Sequence, residues 1–267
     1  MPSSFGMWFS AYAETLIDDI TMLNTALKIV DQNPLISAAG YRSSFPIDRT
    51  FTTSELGFLT LKFNSIAAQM SRGKSEKTVA FAMSSVAATL SKFSMNVCLY
   101  MSQNFDFITL PSHLTKGSSI MPHKKNPDVF ELIRGKCNKI QALPYEITLI
   151  TNNLPSVYHR DLQLLKEGLF PAIQNLKACL EIAIFSIKDI KVKDNILADK
   201  KYDYLFTVDS LNEMVVAGMP FRDAYKAIAE QLENGTFKSP KKTKHTHEES
   251  INNLCLEDIR KKMNDSY

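Results

Sequence analysis

Apolar residues recur at three- and four-residue steps along three long stretches of the chain, residues 5–30, 79–100 and 169–187. This spacing predicts long helices with one apolar face each, and no stretch shows the alternation of a convincing β-strand. Each predicted helix exceeds the mean globular length of about 11 to 12 residues, and such helices need other long helices to cover them. The pattern therefore predicts an all-α, long-helix bundle. The predicted inward positions are Phe5, Trp8, Tyr12, Leu16, Leu23, Leu27 and Val30, then Val79, Ala82, Val86, Leu90, Phe93, Val97 and Tyr100, then Leu169, Ile173, Leu176, Leu180, Ala183 and Ile187.

A further helix is predicted to begin at the Asn-Pro-Asp sequence of residues 126–128. Asn126 can cap a helix, Pro127 fits the first turn, and Asp128 favours the positive end of the helix dipole. Pro144 is expected to bend or end this helix. Its predicted inward residues are Phe130, Ile133, Cys137 and Ile140.

Two polar segments interrupt the helical pattern. Residues 31–53 carry Pro, Gly and Ser at loop density, and residues 234–250 form a basic run that predicts a solvated loop between small terminal helices. His245 and His247 in that run could bind a metal, but histidines among exposed lysines are more often merely hydrophilic. We expect a central helical bundle domain over residues 1–190 and a small C-terminal helical domain over residues 191–267.

Composition narrows the class of protein. The chain has 267 residues, 45% of them hydrophobic and 22% charged, which suits a soluble globular protein. A net charge of +3 does not indicate a nucleic-acid partner, and no apolar run approaches the roughly 18 residues that span a bilayer. Because no leader pattern follows Met1, we expect a cytoplasmic protein without a membrane partner. The four widely spaced cysteines, Cys98, Cys137, Cys179 and Cys255, are expected to be buried, reduced thiols.

Residues 117–128, GSSIMPHKKNPD, concentrate polar groups between two predicted helices. Gly117 allows positive φ, Ser118 and Ser119 supply hydroxyls, and Lys124 and Asn126 supply donors. A flexible linker that ends in a capped helix would explain the Asn-Pro-Asp part, but it requires neither the GSSIMP stretch nor the paired lysines. The segment therefore predicts a cradle for a dicarboxylate.

The stretch GSSIMPHKKNP also resembles the signature loop of the fumarase and aspartase superfamily, and a match of this length is highly specific. The resemblance implies a bundle of long helices, a homotetramer whose sites each draw on three subunits, and elimination of fumarate from a substituted succinate. Within the superfamily, LPSVYHRDLQLLKE at residues 154–167 and GMPFRDAY at residues 218–225 resemble argininosuccinate lyases, as do residues 33–58. Ile36 and Arg42 stand where small glycines are usual in that family.

The resemblance assigns roles to individual residues. It implies cleavage of argininosuccinate into arginine and fumarate with no metal or organic cofactor, and Ser118 as the loop residue that transfers a proton, most simply as base. Lys124 and Asn126 would stabilise the alkoxide and the substrate carboxylate. The family pattern makes Glu131 the carboxylate that orients a partner histidine, although a solvated helix residue is the simpler explanation. It assigns the α-carboxylate and amino end of the substrate to Tyr158, Gln163 and Lys166. Lys77 lies where many relatives have an arginine. A lysine there keeps the positive charge but loses the bidentate carboxylate binding of an arginine.

Family members also carry an N-terminal domain with a Ser-x-Asn loop and a Thr-His pair whose histidine transfers protons. Neither matches a segment of this chain, so we expect a C-terminal fragment that is inactive alone. Three alternatives stay open at this point: an inactive structural homologue, an oligomerisation module, and another fumarate-releasing enzyme such as adenylosuccinate lyase. Assays with argininosuccinate, adenylosuccinate and malate would separate the enzymes.

Overall fold

A computed structural model describes residues 1–117, 120–121, 124–241, 245–248 and 250–266. Across these residues the chain is mainly α-helical, so the predicted all-α class is confirmed. The helices are α1 (Phe5–Val30), α2 (Arg49–Glu55), α3 (Ser65–Met70), α4 (Lys74–Met101), α5 (Asp128–Gln141), α6 (Leu143–Thr151), α7 (Leu165–Ile187), α8 (Thr207–Val216), α9 (Phe221–Glu233) and α10 (Leu256–Asp265).

Short strands of two residues pair in the connections between helices. The strand β1 (Gln32–Asn33) runs parallel to β2 (Thr60–Leu61). The strand β3 (Ile108–Thr109) is antiparallel to β6 (Lys191–Val192), and β4 (Lys116–Gly117) is antiparallel to β5 (Lys125–Asn126). Strands this short fix the ends of loops and do not form a sheet layer.

The three long predicted helices are confirmed as α1, α4 and α7. The first begins after Ser4, whose hydroxyl oxygen accepts a hydrogen bond from the Met7 N–H at 3.1 Å. The second begins after Gly73, whose N–H donates to the Glu76 carboxylate at 2.6 Å. Local capping therefore defines where two of the main bundle helices start.

The core of the bundle lies where α1, α5, α6 and α7 pack around α4. The Trp8 ring of α1 stacks on the Phe93 ring of α4, with centroids 5.2 Å apart. The inward face predicted for α5 is confirmed, because its four residues are 0 to 3% exposed: Phe130, Ile133, Cys137 and Ile140. The Cys137 and Cys179 thiols hydrogen-bond to each other between α5 and α7, and burial raises the pKa of Cys137 to about 12.

The predicted break at Pro144 is confirmed, since α5 ends at Gln141 and α6 begins at Leu143 with Pro144 in its first turn. The predicted cap at Asn126 is wrong. Asn126 belongs to β5, and the helix begins only after Pro127 without a side-chain cap. Pairing with β4 determines the position of Asn126, and this non-local contact leaves no local trace in the sequence.

Two other expectations need correction. The irregular segment predicted over residues 31–53 is already helical from Arg49, because Asp48 accepts hydrogen bonds from the N–H groups of Thr50 and Phe51. Only Cys137 and Cys179 are buried, whereas Cys98 and Cys255 are partly exposed. The cap by Asp48 accounts for the early start of α2. Cys98 and Cys255 lie near the ends of helices, which accounts for their partial exposure.

A second, smaller hydrophobic cluster lies between α8 and α9 and contains Leu211, Ala224 and Ile228. The C-terminal helix α10 returns to the bundle, where Lys262 Nζ lies 3.0 Å from the Glu14 carboxylate of α1. The proposed boundary between residues 190 and 191 stays a prediction.

The basic segment of residues 234–250 is non-helical where it is described, and it lies between α9 and α10 as predicted. It is not wholly solvated, however. His245 Nε2 lies 2.5 Å from the Asp209 carboxylate of α8, and Ser250 is buried. Phe237 of the segment also packs against the small cluster.

One described helical stretch, Arg160–Ile187, is long and apolar enough to cross a membrane by length and composition. The sequence-based expectation that no stretch approaches this length overlooked it, because Lys177 and Glu181 interrupt the apolar run. Core helices of soluble proteins pass the same test, and α7 places Leu165, Leu169 and Leu176 in the bundle core.

Candidate functional site

The predicted dicarboxylate loop is bracketed by the β4–β5 pair. Lys116 pairs with Asn126, and Gly117 pairs with Lys125, so the two ends of the loop lie side by side. Ser118, the predicted proton-transfer residue, lies outside the described residues. Lys124 is exposed, and its N–H donates to the Met121 carbonyl at 3.0 Å. Asn126 is half-buried. The ladder thus holds Asn126 at the base of the loop, and Lys124 directly precedes β5.

Glu131 lies in the first turn of α5, directly after the hairpin, and its side chain is exposed. Its N–H donates to the Pro127 carbonyl at 3.0 Å. Burial is the main cause that raises the pKa of the Cys98 thiol on α4, and the nearby Glu131 carboxylate raises it further while Arg134 opposes this effect. Glu131 therefore lies within electrostatic reach of Cys98 on α4, close after the loop.

The predicted substrate-binding residues of the second segment surround the start of α7. Gln163 Nε2 donates to Tyr158 Oη at 3.3 Å, so these two side chains are in contact, and their role in substrate binding stays a prediction. Lys166 lies in the first turn of α7, and all three residues are exposed. Leu162 is 4% exposed and anchors the intervening 3₁₀ turn in the core. The segment therefore exposes these polar side chains to solvent, while the buried Leu162 holds its backbone against the core.

The structure does not join the two groups of predicted residues within one chain. Among the described residues, no hydrogen bond or ion pair links Lys124, Asn126 or Glu131 to Tyr158, Gln163 or Lys166. Apart from the half-buried Asn126, the residues of both groups are exposed. The described residues contain no cluster of three or more metal-ligating side chains.

A basic cavity that sequence reasoning did not find lies beside the second segment. It has a volume of about 370 Å³, and its lining includes Arg72, Lys74, Lys77 and His159. A sequence signal exists, because the three cationic residues Arg72, Lys74 and Lys77 fall within six residues at the start of α4. His159 comes from the opposite wall, and only the packing of the segment on α4 brings it near them.

The comparisons with known proteins agree with this architecture. A family model described as lyase matches residues 1–142, more than half of the chain. The chain belongs to this lyase family. The match ends one residue after α5, so it includes the predicted dicarboxylate loop and Glu131.

Curated relatives of this lyase chain extend the match to nearly its whole length. It is 57% identical over 259 residues to the argininosuccinate lyase of Parabacteroides distasonis, a match that covers 97% of this chain and 58% of that protein. It is 40% identical over 227 residues to the argininosuccinate lyase of Xanthomonas campestris, covering 85% of this chain and 52% of that protein. The resemblance to argininosuccinate lyases is thereby confirmed, and the chain spans just over half the length of these relatives.

Solved structures confirm the fold. EDDS lyase in complex with formate superposes with a TM-score of 0.78 at 18% identity, covering 97% of this chain and 59% of that one. The class II fumarase of Schistosoma mansoni superposes with a TM-score of 0.71 at 16% identity, covering 100% of this chain and 59% of that one. At these identities the agreement concerns the fold alone, which is the long-helix bundle predicted from the sequence.

Proposed function

We propose that this chain supplies the bundle part of an argininosuccinate lyase, which eliminates arginine from argininosuccinate and releases fumarate. The observation that carries the proposal is the 57% identity to the argininosuccinate lyase of Parabacteroides distasonis over 97% of this chain. Because the chain spans 58% of that relative, the complete reaction is proposed for an enzyme of which this chain forms one part.

The reaction needs a base, an acid and stabilisation of developing negative charge. A base removes a proton from the carbon beside a substrate carboxylate, the C–N bond breaks, and an acid returns a proton to the departing guanidino nitrogen. We assign one proton transfer to Ser118 and the stabilisation of charge to Lys124 and Asn126. An electrostatic contact of this type typically contributes about 3 to 4 kcal/mol to catalysis. Glu131 orients the partner group of the second transfer.

The second half of the proposed site binds the amino-acid end of the substrate. The hydrogen bond of 3.3 Å between Gln163 and Tyr158 supports this assignment, because it orients two polar side chains toward solvent together. Lys166, one turn from Gln163, supplies the positive charge that a carboxylate requires. These three residues would determine preference for the amino-acid half, whereas Ser118 and its neighbours act on the succinate half.

A homotetramer with shared sites is the assembly that we propose. The exposure of both residue groups, and the lack of a described contact between them in one chain, support a site completed by other subunits.

We further propose that the protein acts in the cytoplasm on this small-molecule substrate without nucleic-acid or membrane partners, and that the reaction uses no metal or organic cofactor. The two-domain division at residue 190 belongs to the same proposal.

A complementation experiment tests the function and the sharing of sites together. The 267-residue chain is co-refolded with a complete argininosuccinate lyase, such as that of Parabacteroides distasonis, whose serine matching Ser118 is replaced by alanine. We expect each chain alone to be inactive and the mixture to release fumarate from argininosuccinate, because mixed tetramers contain sites with every group. Fumarate formation is followed by its ultraviolet absorbance.

The matched control mixes the same partner with a 267-residue chain that carries Ser118→Ala, which should restore no activity. Adenylosuccinate and malate serve as alternative substrates. Fumarate release from either of them in place of argininosuccinate would overturn the assignment of substrate. Activity of the Ser118→Ala mixture equal to that of the unmodified mixture would overturn the role of Ser118.

A further inference from the structure

The basic cavity beside the second segment has the properties of a separate binding site. It lies where the α3–α4 junction meets residues 151–162, and its polar lining comprises Gln69, Arg72, Lys74, Lys77, Ser156 and His159. We infer that this cavity binds a compact, multivalent anion of the phosphate type.

The charges of the lining are not balanced by the protein. Arg72 Nε lies 3.4 Å from the Glu76 carboxylate, so this guanidinium has an acidic partner. Lys74 and Lys77 form no ion pair among the described residues, and the described lining contains no aspartate or glutamate. Two lysines three residues apart lie on the same face of α4. The cavity therefore holds two uncompensated ammonium groups that a bound anion would neutralise.

Size and geometry favour a compact anion. The volume of about 370 Å³ is at the lower end of the range of roughly 300 to 1,000 Å³ for ligand pockets. Lys74, Lys77 and Arg72 reach the cavity from α4 and its start, whereas Ser156 and His159 reach it from the opposite wall. A phosphate-type group carries about two negative charges on several oxygens in a small volume, so it can contact both walls.

The cavity lies beside Tyr158, Gln163 and Lys166, and Lys77 is the one member of its lining that the family resemblance relates to a carboxylate. Val157, His159 and Leu162 line it, whereas their neighbours Tyr158 and Gln163 do not. The same segment thus presents one set of side chains to the cavity and another set to solvent. Anion binding by the cavity does not depend on the lyase reaction and can be measured without it.

The segment that forms the far wall is held close to the rest of the protein. A Cβ atom on Gly40 would lie 2.7 Å from Val157 Cγ1, and one on Gly73 would lie 2.4 Å from Thr151 Cγ2. Both glycines have positive φ, at 106° and 81°. The Gly73–Thr151 approach joins the far wall directly to the start of α4, and the Gly40–Val157 approach holds that wall from its other side, so the cavity is formed without closure of a loop.

Isothermal titration of the 267-residue chain with inorganic pyrophosphate at low ionic strength tests this inference. We expect saturable binding at one site per chain. The double substitution Lys74→Gln/Lys77→Gln should raise Kd about a hundredfold, because it removes two charge-assisted contacts and each contributes about 1.4 kcal/mol, a factor of ten. The matched control, Lys92→Gln/Lys139→Gln, removes two exposed lysines of α4 and α5 outside the cavity and should leave Kd unchanged.

A second variant keeps both lysines and tests the same cavity from its other wall. Ser156 is exposed, and Ser156→Glu places a carboxylate in the lining, so we expect loss of pyrophosphate binding with an unchanged melting temperature. Succinate is titrated in parallel as a carboxylate probe. Absence of saturable pyrophosphate binding, equal weakening in the control, or tighter binding of succinate than of pyrophosphate would overturn the inference. None of these results bears on the complementation assay, which tests the lyase function separately.

Discussion

Asp19 is a buried acidic residue between two main helices, with an exposed fraction of only 3%. Its carboxylate accepts hydrogen bonds from Ser85 at 2.5 Å and from Thr89 at 2.7 Å, one to each oxygen. A buried charge is costly unless it is hydrogen-bonded, so the two hydroxyls of α4 offset the burial of this α1 carboxylate. The two hydrogen bonds therefore join α1 to α4 at one position along both helices.

Thr89→Val should destabilise the protein. The substitution keeps the shape of the side chain but leaves one oxygen of Asp19 without its donor, which costs about 1 to 3 kcal/mol. The measurement is the midpoint of urea unfolding followed by circular dichroism. Thr78→Val is the matched control on the same helix, because the Thr78 hydroxyl donates only to the Lys74 carbonyl in an exposed position. A loss of stability no larger in Thr89→Val than in Thr78→Val would contradict the proposed role of Thr89.

Some side chains of the two candidate sites are close together in the sequence, whereas others are brought together only by the fold. Tyr158 and Gln163 are hydrogen-bonded to each other, and their five-residue separation makes this contact local. His159 and Lys77 line one cavity although 82 positions separate them in the chain. No periodic pattern encodes such a pair, because it depends on how the segment after α6 packs against the start of α4.

At the scale of elements, the start of α4 depends on a glycine. Gly73 has φ of 81°, and a Cβ atom there would lie 2.4 Å from Thr151 Cγ2 at the end of α6. The absence of a side chain thus permits both the backbone turn into α4 and the close approach of α6. The junction is important because residues on both sides of it line the basic cavity.

Gly73→Ala should destabilise the protein by about 1 to 3 kcal/mol from backbone strain, with a further loss from the overlap with Thr151. Gly135→Ala is the matched control. Gly135 lies in α5, and a Cβ atom added there would have no neighbour within 4 Å, so alanine should stabilise the protein by about 0.5 to 1 kcal/mol. Urea unfolding of both variants gives the comparison. Equal stability of Gly73→Ala and the unmodified chain would show that the junction tolerates a side chain.

At the scale of the whole molecule, the bundle helices leave large apolar side chains uncovered. On α7, Phe170, Ile184 and Phe185 are 57 to 59% exposed, although the opposite face of the helix lies in the core. Leu27 on α1 and Ile187 at the end of α7 were predicted to face inward, but both are exposed, as is Phe81 on α4. Extended apolar surfaces of this kind favour association, and the proposed homotetramer would cover them.

We expect sedimentation equilibrium to show a tetramer at micromolar concentration. The double substitution Ile184→Lys/Phe185→Lys should shift the population toward smaller species, because burying two ammonium groups opposes association. The matched control is Val216→Lys/Phe221→Lys, which changes two exposed apolar residues on α8 and α9 outside the main bundle. A folded monomer of the unmodified chain across this concentration range would contradict the proposed assembly.

The helical class, the three long helices, the buried face of α5 and the resemblance of the loop could all be predicted from the sequence, because these features depend on local periodicity or on contiguous residues. The pairing of Asn126 in β5, the hydroxyl partners of Asp19 and the assembly of the basic cavity became known only from the tertiary structure. Each of these joins residues that lie far apart in the chain or on separate elements. Their proximity arises from the packing of helices and from backbone pairing, which depend on the shapes of many side chains at once.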